Sequence, residues 1–333
     1  MSFRSSKPLV CLLNLGYQKM DLTVSLKENP PTNGENNAAK DDGMIVRNSN
    51  RAKFMGTYYH QNFSLPDSII FYIAKNHKTW KLYQKMVKTC KYFFVENPIL
   101  VIEKPLSYFD SQWTIKKTPY NTNQTMSKLW IADNLYVSPK YSISAETKNQ
   151  NIVTSIIPKV YRCDAFIIKL LKQVISYRDL PLLTSSAEWI FFHQVVVKHE
   201  DGSNVEVQKI VKIASNATLI NISHPTITSK TMEELLKIPH FLTIREFTIK
   251  NVPKFFDIEA FYVYMKKNKT TKFILSFNES ISDEYMKRLD EIVDEIIATK
   301  DFDYKPVLFD FRGLDDERHK KLHNIFYSQK RNF

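Results

Sequence analysis

The hydrophobic rhythm of the chain changes twice. Over 79–94, apolar residues return every three or four positions, so Tyr83, Met86, Val87, Cys90, Phe93 and Phe94 share one side of a helix. Lys78, Lys81, Lys85 and Lys88 gather on the other side. The spacing predicts one amphipathic helix there. A shorter helical piece around Ile69, Ile70 and Ile73 precedes it, with Pro66 at a first-turn position where a missing N–H is tolerated. Between 98 and 160 the apolar runs shorten. "NPILVIEKP" and "SKLWIADNLYV" read as strands, and "KKTPYNTNQT" and "SPKYSISAETKNQN" read as loops. At the start, "KENPPTNGENNAAKDDG" has nothing to bury, so residues 1–60 read as a flexible tail, with a short element expected over 8–25.

From about 161, strands and helices alternate. "CDAFIIKLLKQVISY" reads as a helix and "WIFFHQVVV" as a strand. The strands "TLINIS", "REFTIK", "KFILSF" and "VLFDF" follow, separated by "VEVQKIVKIAS", "TMEELLKI", "FDIEAFYVYMKKN" and "SDEYMKRLDEIVDEIIATK". Thr231 with Glu234 fits a capping box, and Asp257 and Ser282 stand where N-caps belong. Strand starts at Trp189, Thr218, Arg245, Lys272 and Val307 are 29, 27, 27 and 35 residues apart. A strand and a helix at a period near 28 mark a repeat array, at the long end of the leucine-rich-repeat range of about 20–29 residues. One such pair cannot bury its own apolar faces, and stacked copies can.

The expected fold class is therefore α/β, α+β locally. A small helical module spans 61–105, and a linking segment with short strands spans 106–160. An irregular leucine-rich-repeat-like solenoid with a parallel sheet spans 161–333. An ordinary α/β domain with right-handed crossovers is the alternative. Strand alternation sends Ile220, Ile222, Phe247, Ile249, Phe273, Leu275, Phe277, Val307, Phe309 and Phe311 inward. It leaves Asn221, Ser223, Glu246, Thr248, Lys250, Lys272, Ile274, Ser276, Leu308, Asp310 and Arg312 facing out. All of these except Leu308 are candidate partner-binding residues.

Composition narrows the classes. Hydrophobic residues make up 43% of 333, enough for a packed core, and only six are glycine. No Gly-x-Gly-x-x-Gly or Walker-type phosphate loop occurs. Lys and Arg total 47 against 35 Asp and Glu, a formal charge of +12. The excess is lysine spread along the chain, without an arginine-rich run, an RNP motif or zinc-finger spacing, so nucleic acid is not the expected partner. Cys11, Cys90 and Cys163 are odd in number and far apart, as in a reducing compartment. Sequons at Asn62, Asn123, Asn216, Asn221, Asn268 and Asn278 would matter only in a secreted chain. No apolar run approaches the roughly 20 residues of a membrane span. A cytoplasmic or nuclear location follows as the expectation.

Leu65-Pro66-Asp67 opens a stretch that Val87 and then Cys90-Lys91-Tyr92-Phe93 close, with 25 positions from Leu65 to Cys90. This stretch resembles an F-box, and the layout behind it resembles the divergent F-box proteins expanded in nematodes. Lys88 and Thr89 separate Val87 from Cys90, and "NHKTWKLY" lacks the leucines usual in the middle of the motif. The resemblance implies docking on the Skp adaptor of a cullin-type (SCF) ubiquitin ligase. Leu65, Pro66, Ile69, Ile70, Ile73, Val87, Cys90 and Phe93 would be the adaptor-binding residues, and the repeat domain would bind an unknown substrate protein. It implies no enzyme activity, no cofactor, no metal and no membrane. A stand-alone α/β repeat scaffold that binds a protein or RNA partner without a ligase is the second reading. An enzyme on a degenerate doubly wound fold is the third.

The remaining candidates read as structure. His319 and His323 stand i, i+4 as zinc ligands can, but no Glu lies between them and no Cys pair is near, so they read as surface histidines. Cys90 and Cys163 read as core thiols. His193 reads as a hydrogen-bonded filler on a core strand, and "LDDERHK" as a solvated helix start.

Overall fold

A computed structural model describes residues 56–59, 61–124, 126–139 and 148–328. The expected tail over 1–60, and Cys11 within it, lies outside these residues except for 56–59. The chain divides into two compact units between Ile99 and Leu100.

The described part of the first unit is helical, with α1 (Asp67–Lys75), α2 (Trp80–Thr89) and α3 (Tyr92–Glu96). The Pro66 carbonyl accepts from the N–H groups of Ile69 at 2.9 Å and Ile70 at 3.1 Å, which starts α1. Thr79 caps α2, its Oγ1 accepting from the Leu82 N–H at 3.2 Å. The single helix expected over 79–94 is broken. Cys90 is extended (φ −151°, ψ 129°), and the Thr89 hydroxyl donates back to the Met86 carbonyl at 2.8 Å. Threonine competes in this way for the last helical carbonyls. After the break Phe93 is buried, and Phe63 packs on Tyr92 and Phe93 at 5.1 and 6.1 Å.

So small a unit has little apolar area to bury. Among the described residues, Ile70, Ala74, Tyr83, Val87, Phe93 and Ile99 are its buried apolar side chains. A polar pin supplements them. The Tyr83 hydroxyl donates to the Asn97 carbonyl at 2.8 Å and accepts from the Ile99 N–H at 3.1 Å. His77 packs edge-on against the Tyr83 ring at 4.7 Å.

The second unit is mixed α/β. Its first strands are β1 (Ile99–Ile102, starting at the boundary), β2 (Leu106–Phe109), β3 (Gln112–Ile115), β4 (Thr118–Pro119), β5 (Lys128–Ile131) and β6 (Leu135–Val137). After α4 (Ile152–Ile156) come β7 (Val160–Cys163), β8 (Ile167–Leu171), β9 (Val174–Ser176) and α5 (Leu180–Thr184). Next are β10 (Trp189–His193), β11 (Val196–Lys198), α6 (Val207–Ile213), β12 (Leu219–Ser223) and α7 (Thr231–Leu236). The chain continues with β13 (Glu246–Val252), α8 (Ile258–Met265), β14 (Lys272–Phe277), α9 (Asp283–Ala298), β15 (Leu308–Asp310) and α10 (Asp316–Ser328).

Among the described residues the largest sheet runs β15-β14-β13-β12-β10-β8-β6-β2-β3-β4, so β15 and β4 are its edges. The other sheets are β1-β5-β7 and β11-β9. The five strands expected from the 28-residue period are adjacent and parallel. Ile190, Ile220, Phe247 and Phe273 stand in one row, and Leu275 and Phe309 share another. Each step passes through one helix of the series α6 to α9.

Two expectations fail here. "CDAFIIKLLKQVISY" is not a helix but β8 and β9, parallel to β10 and β11 respectively. Its β-branched residues favour strand, and Lys172 between the two strands is left-handed (φ 51°), which no helix allows. The capping box is absent as well. Lys230 holds the cap position of α7, the Thr231 hydroxyl accepts from the Thr228 N–H at 2.8 Å, and Glu234 pairs with Lys237. The linking segment, expected to hold short strands, contains the β2–β3 hairpin, whose turn uses Asp110 and Ser111 in the left-handed region. Asp257 and Ser282 do cap, accepting from the Ala260 and Tyr285 N–H groups at 2.9 and 3.3 Å.

The left-handed turns recur. Lys172, Gln194 and His224 each follow the last residue of a strand, and Asn251 sits at the bulge in β13 (φ 51°, 52°, 56° and 64°). For a non-glycine residue each costs on the order of 1 kcal/mol. Hydrogen bonds to the next strand offset it. The Lys172 N–H donates to the His193 carbonyl at 2.8 Å, the Gln194 N–H to Ser223 Oγ at 3.0 Å, and the His224 N–H to the Lys250 carbonyl at 2.9 Å.

The core beneath the sheet is aromatic. Phe273 packs edge-on against Phe261 at 5.2 Å and Phe247 at 6.1 Å, and Phe241 meets Phe247 at 5.2 Å. Outside it, Arg318 ties α10 to Asp290 at 2.7 Å and Asp294 at 2.8 Å on α9. In urea unfolding, Phe273→Ala is expected to cost about 3–5 kcal/mol. Val263→Ala, at a residue 55% exposed, should stay within about 0.5 kcal/mol. Equal effects would contradict this placement of the core.

Candidate functional site

The run "IIFYIA" in α1 is apolar on every side, and one helix face cannot bury all of it. Ile70 and Ala74, one turn apart, are buried within the unit, and Ile73 is half-buried. Ile69, Phe71 and Tyr72 remain 46%, 48% and 65% exposed, as does Leu82 of α2 at 45%. The Lys75 ammonium lies 5.3 Å from the centre of the Phe71 ring. Lys78, Lys81, Lys85 and Lys88 are exposed, as the helical pattern predicts. The result is an apolar surface on α1 with Lys75 at its edge, and a basic stripe along the α2 segment.

The expected adaptor-facing residues are divided by this packing. Pro66 and Ile69 are exposed, while Leu65, Ile73 and Cys90 are half-buried. Ile70, Val87 and Phe93 are buried, and the unit uses them for its own core because it has few other apolar side chains. Reading the sequence for motif positions passed over Phe71, Tyr72 and Leu82. The available signal was the unbroken apolar run, longer than one buried face.

The second candidate surface is the outward face of the large sheet. Lys250, Asp310 and Arg312 are exposed, and Asn221, Glu246, Lys272, Ile274 and Ser276 are half-buried. Ser223 and Thr248, expected to face solvent, are buried at 6% and 2% exposure. Both are short side chains flanked in register by longer ones. His193 and Lys250 stand either side of Ser223, and Asn221 and Ile274 either side of Thr248. Leu308, also taken as outward, is buried on the edge strand against which α10 packs. Ser276 Oγ donates to Asp310 at 2.9 Å, and Lys272 lies over the Phe326 and Tyr327 rings. His193 is a half-buried residue of this face, and its ring makes no hydrogen bond among the described residues, contrary to its reading as a bonded filler.

Other groups offer less chemistry. Burial pushes the Cys163 thiol up to about 12, and burial also raises that of Cys90, so neither is poised as a nucleophile. An open depression of about 760 Å³ is lined by Tyr177, Arg178, His199, Glu206 and Lys209 among others. There Lys209 bonds Glu206 at 2.8 Å and holds its carboxyl below the usual range, so the charges pair with one another. Among the described residues, no cluster of three or more His, Cys, Asp or Glu could hold a metal ion. No described helix is long and apolar enough to cross a membrane. In comparisons with known proteins, no family model matches the chain, and no curated protein or solved structure matches it.

His77 is 6% exposed, and both of its ring nitrogens lack a hydrogen-bond partner. Burial holds its pKa below the ordinary histidine value. The unfolded chain therefore binds more protons than the folded one just below about pH 6.5, and stability falls as pH drops through that value. Corrected for the intrinsic rate, the protection of the α1 and α2 amides against hydrogen exchange should fall between pH 7.5 and 5.5, and His77→Phe should abolish that fall. A pH response unchanged by His77→Phe would place the sensitivity elsewhere.

Proposed function

We infer that this chain is a substrate-recruiting adaptor of a cullin-type ubiquitin ligase. Its first unit is an F-box-like module that docks on a Skp-type adaptor protein. The observation that carries the reading is the exposure of Ile69, Phe71 and Tyr72 on α1, with Pro66 before them, and of Leu82 on α2. A short helical unit that leaves large apolar side chains in solvent is suited to another protein's helices. The exposed lysines of the same unit favour an acidic docking partner and would speed encounter with it. Behind this unit, the consecutive parallel strands and intervening helices read as an irregular leucine-rich-repeat-like solenoid, whose outward sheet face takes the substrate protein.

The second reading keeps the repeat sheet and omits the ligase. It is supported by the burial of Ile70, Val87 and Phe93, which serve the unit's own core. Co-purification with a Skp-type adaptor separates the two. The full chain should retain the adaptor, and Ile69→Asp with Tyr72→Asp should weaken capture more than tenfold without moving the melting temperature. Ile70→Asp should unfold the unit. A full chain that fails to capture the adaptor, or α1 surface variants that capture it normally, would leave the scaffold reading in place.

A further inference from the structure

The outward sheet face holds two lysines around a histidine, with a specific neighbourhood. His193 ends β10, and register places it beside Ser223 on β12 and, one strand further, Lys250 on β13. Lys169 on β8, the strand on the other side of β10, stands one side-chain row back, opposite Phe191. At a strand spacing of about 4.8 Å, the His193 and Lys250 backbones are about 10 Å apart, so their side chains bracket one small group. Lys169 and Lys250 are exposed, and neither forms an ion pair among the described residues. Burial, and then these two lysines, lower the His193 pKa, so the three groups feel one another's field.

A second observation lies in the next row on the same face. Thr248 is 2% exposed, and its Oγ1 has no hydrogen-bond partner. Asn221 is its register neighbour on β12, and its Oδ1 is likewise buried without a partner. Native interiors rarely leave two adjacent polar groups unsatisfied. The hydroxyl is a donor and the amide oxygen an acceptor, so together they ask for a ligand that offers both an acceptor and an N–H.

We propose that Lys169, His193, Lys250, Thr248 and Asn221 form a subsite for an acidic side chain of an extended protein segment laid across the sheet. The lysines neutralise the carboxylate, Thr248 donates to it, and Asn221 accepts a main-chain N–H of the same segment. A phosphate strand meets these demands poorly. It offers no N–H from its backbone, and it would run past the carboxylates of Glu246 and Asp310 on the same face. The proposal deepens the adaptor reading by giving the captured substrate a chemical class, yet the subsite stands without the ligase.

Fluorescence anisotropy of labelled hexaglutamate with the full chain tests it, with hexaglutamine and a short oligothymidine as the other probes. Hexaglutamate should bind, and hexaglutamine should bind at least tenfold more weakly. Lys169→Gln with Lys250→Gln should weaken hexaglutamate about tenfold, whereas Lys287→Gln with Lys320→Gln, an equal charge change elsewhere, should not. Thr248→Val should weaken binding about threefold while the melting temperature holds or rises, a split that a purely structural hydroxyl would not give. The proposal falls if hexaglutamate does not bind, if both lysine pairs act equally, if Thr248→Val leaves binding unchanged, or if oligothymidine binds more tightly through Lys169 and Lys250. Loss of Skp-type capture with peptide binding intact would overturn the ligase assignment alone.

Discussion

The second unit depends on one constraint, the residue-for-residue register of its parallel strands. Trp189, Leu219, Glu246 and Lys272 begin four neighbouring strands in one row, and the rows above them follow without slippage as far as Lys250. Because side chains alternate along a strand, a shift by one residue would turn every phenylalanine of the core into solvent. Register thus fixes both faces at once. It stacks Phe247, Phe273 and Phe309 under the helices and places Lys169, His193, Thr248 and Lys250 together on the other side.

The left-handed residues closing these strands help to hold that register. A chain with six glycines makes its repeated corners from Lys172, Gln194, His224 and Asn251. Each accepts local strain in exchange for a hydrogen bond or a bulge that locks the next strand. Gly202 and Gly313 also take left-handed positions, but the corners between these strands are built from other residues.

Much of the second unit was legible because its signals repeat. Strand starts inferred at 189, 218, 245, 272 and 307 lie within one residue of those observed, since alternation and spacing reinforce each other. "CDAFIIKLLKQVISY" was not legible, because Phe166, Ile167, Leu170, Leu171 and Val174 satisfy a helical period, whereas the buried residues of the two strands are Ile168, Leu170 and Ile175. Only tertiary pairing with β10 decides between them. At the candidate sites the sequence indicated which face each strand residue takes, but it did not show that Ser223 and Thr248 sink below their neighbours. In the first unit it located the helices and missed the break at Cys90, which a threonine side chain produces rather than a proline or glycine. The exposed Phe71 and Tyr72 were hidden by attention to motif positions instead of to how much apolar surface one turn can cover.

The two ends of the large sheet carry a further consequence. A wide sheet with open margins is a template on which other chains can polymerise. Here one margin is β4, a two-residue strand ending in Pro119, whose ring nitrogen has no hydrogen to offer an incoming strand. The other is β15, three residues long and ending in the charge of Asp310, with α10 packed against it. Among the described residues both margins thus discourage further pairing, so a mixed sheet this wide need not seed fibrils.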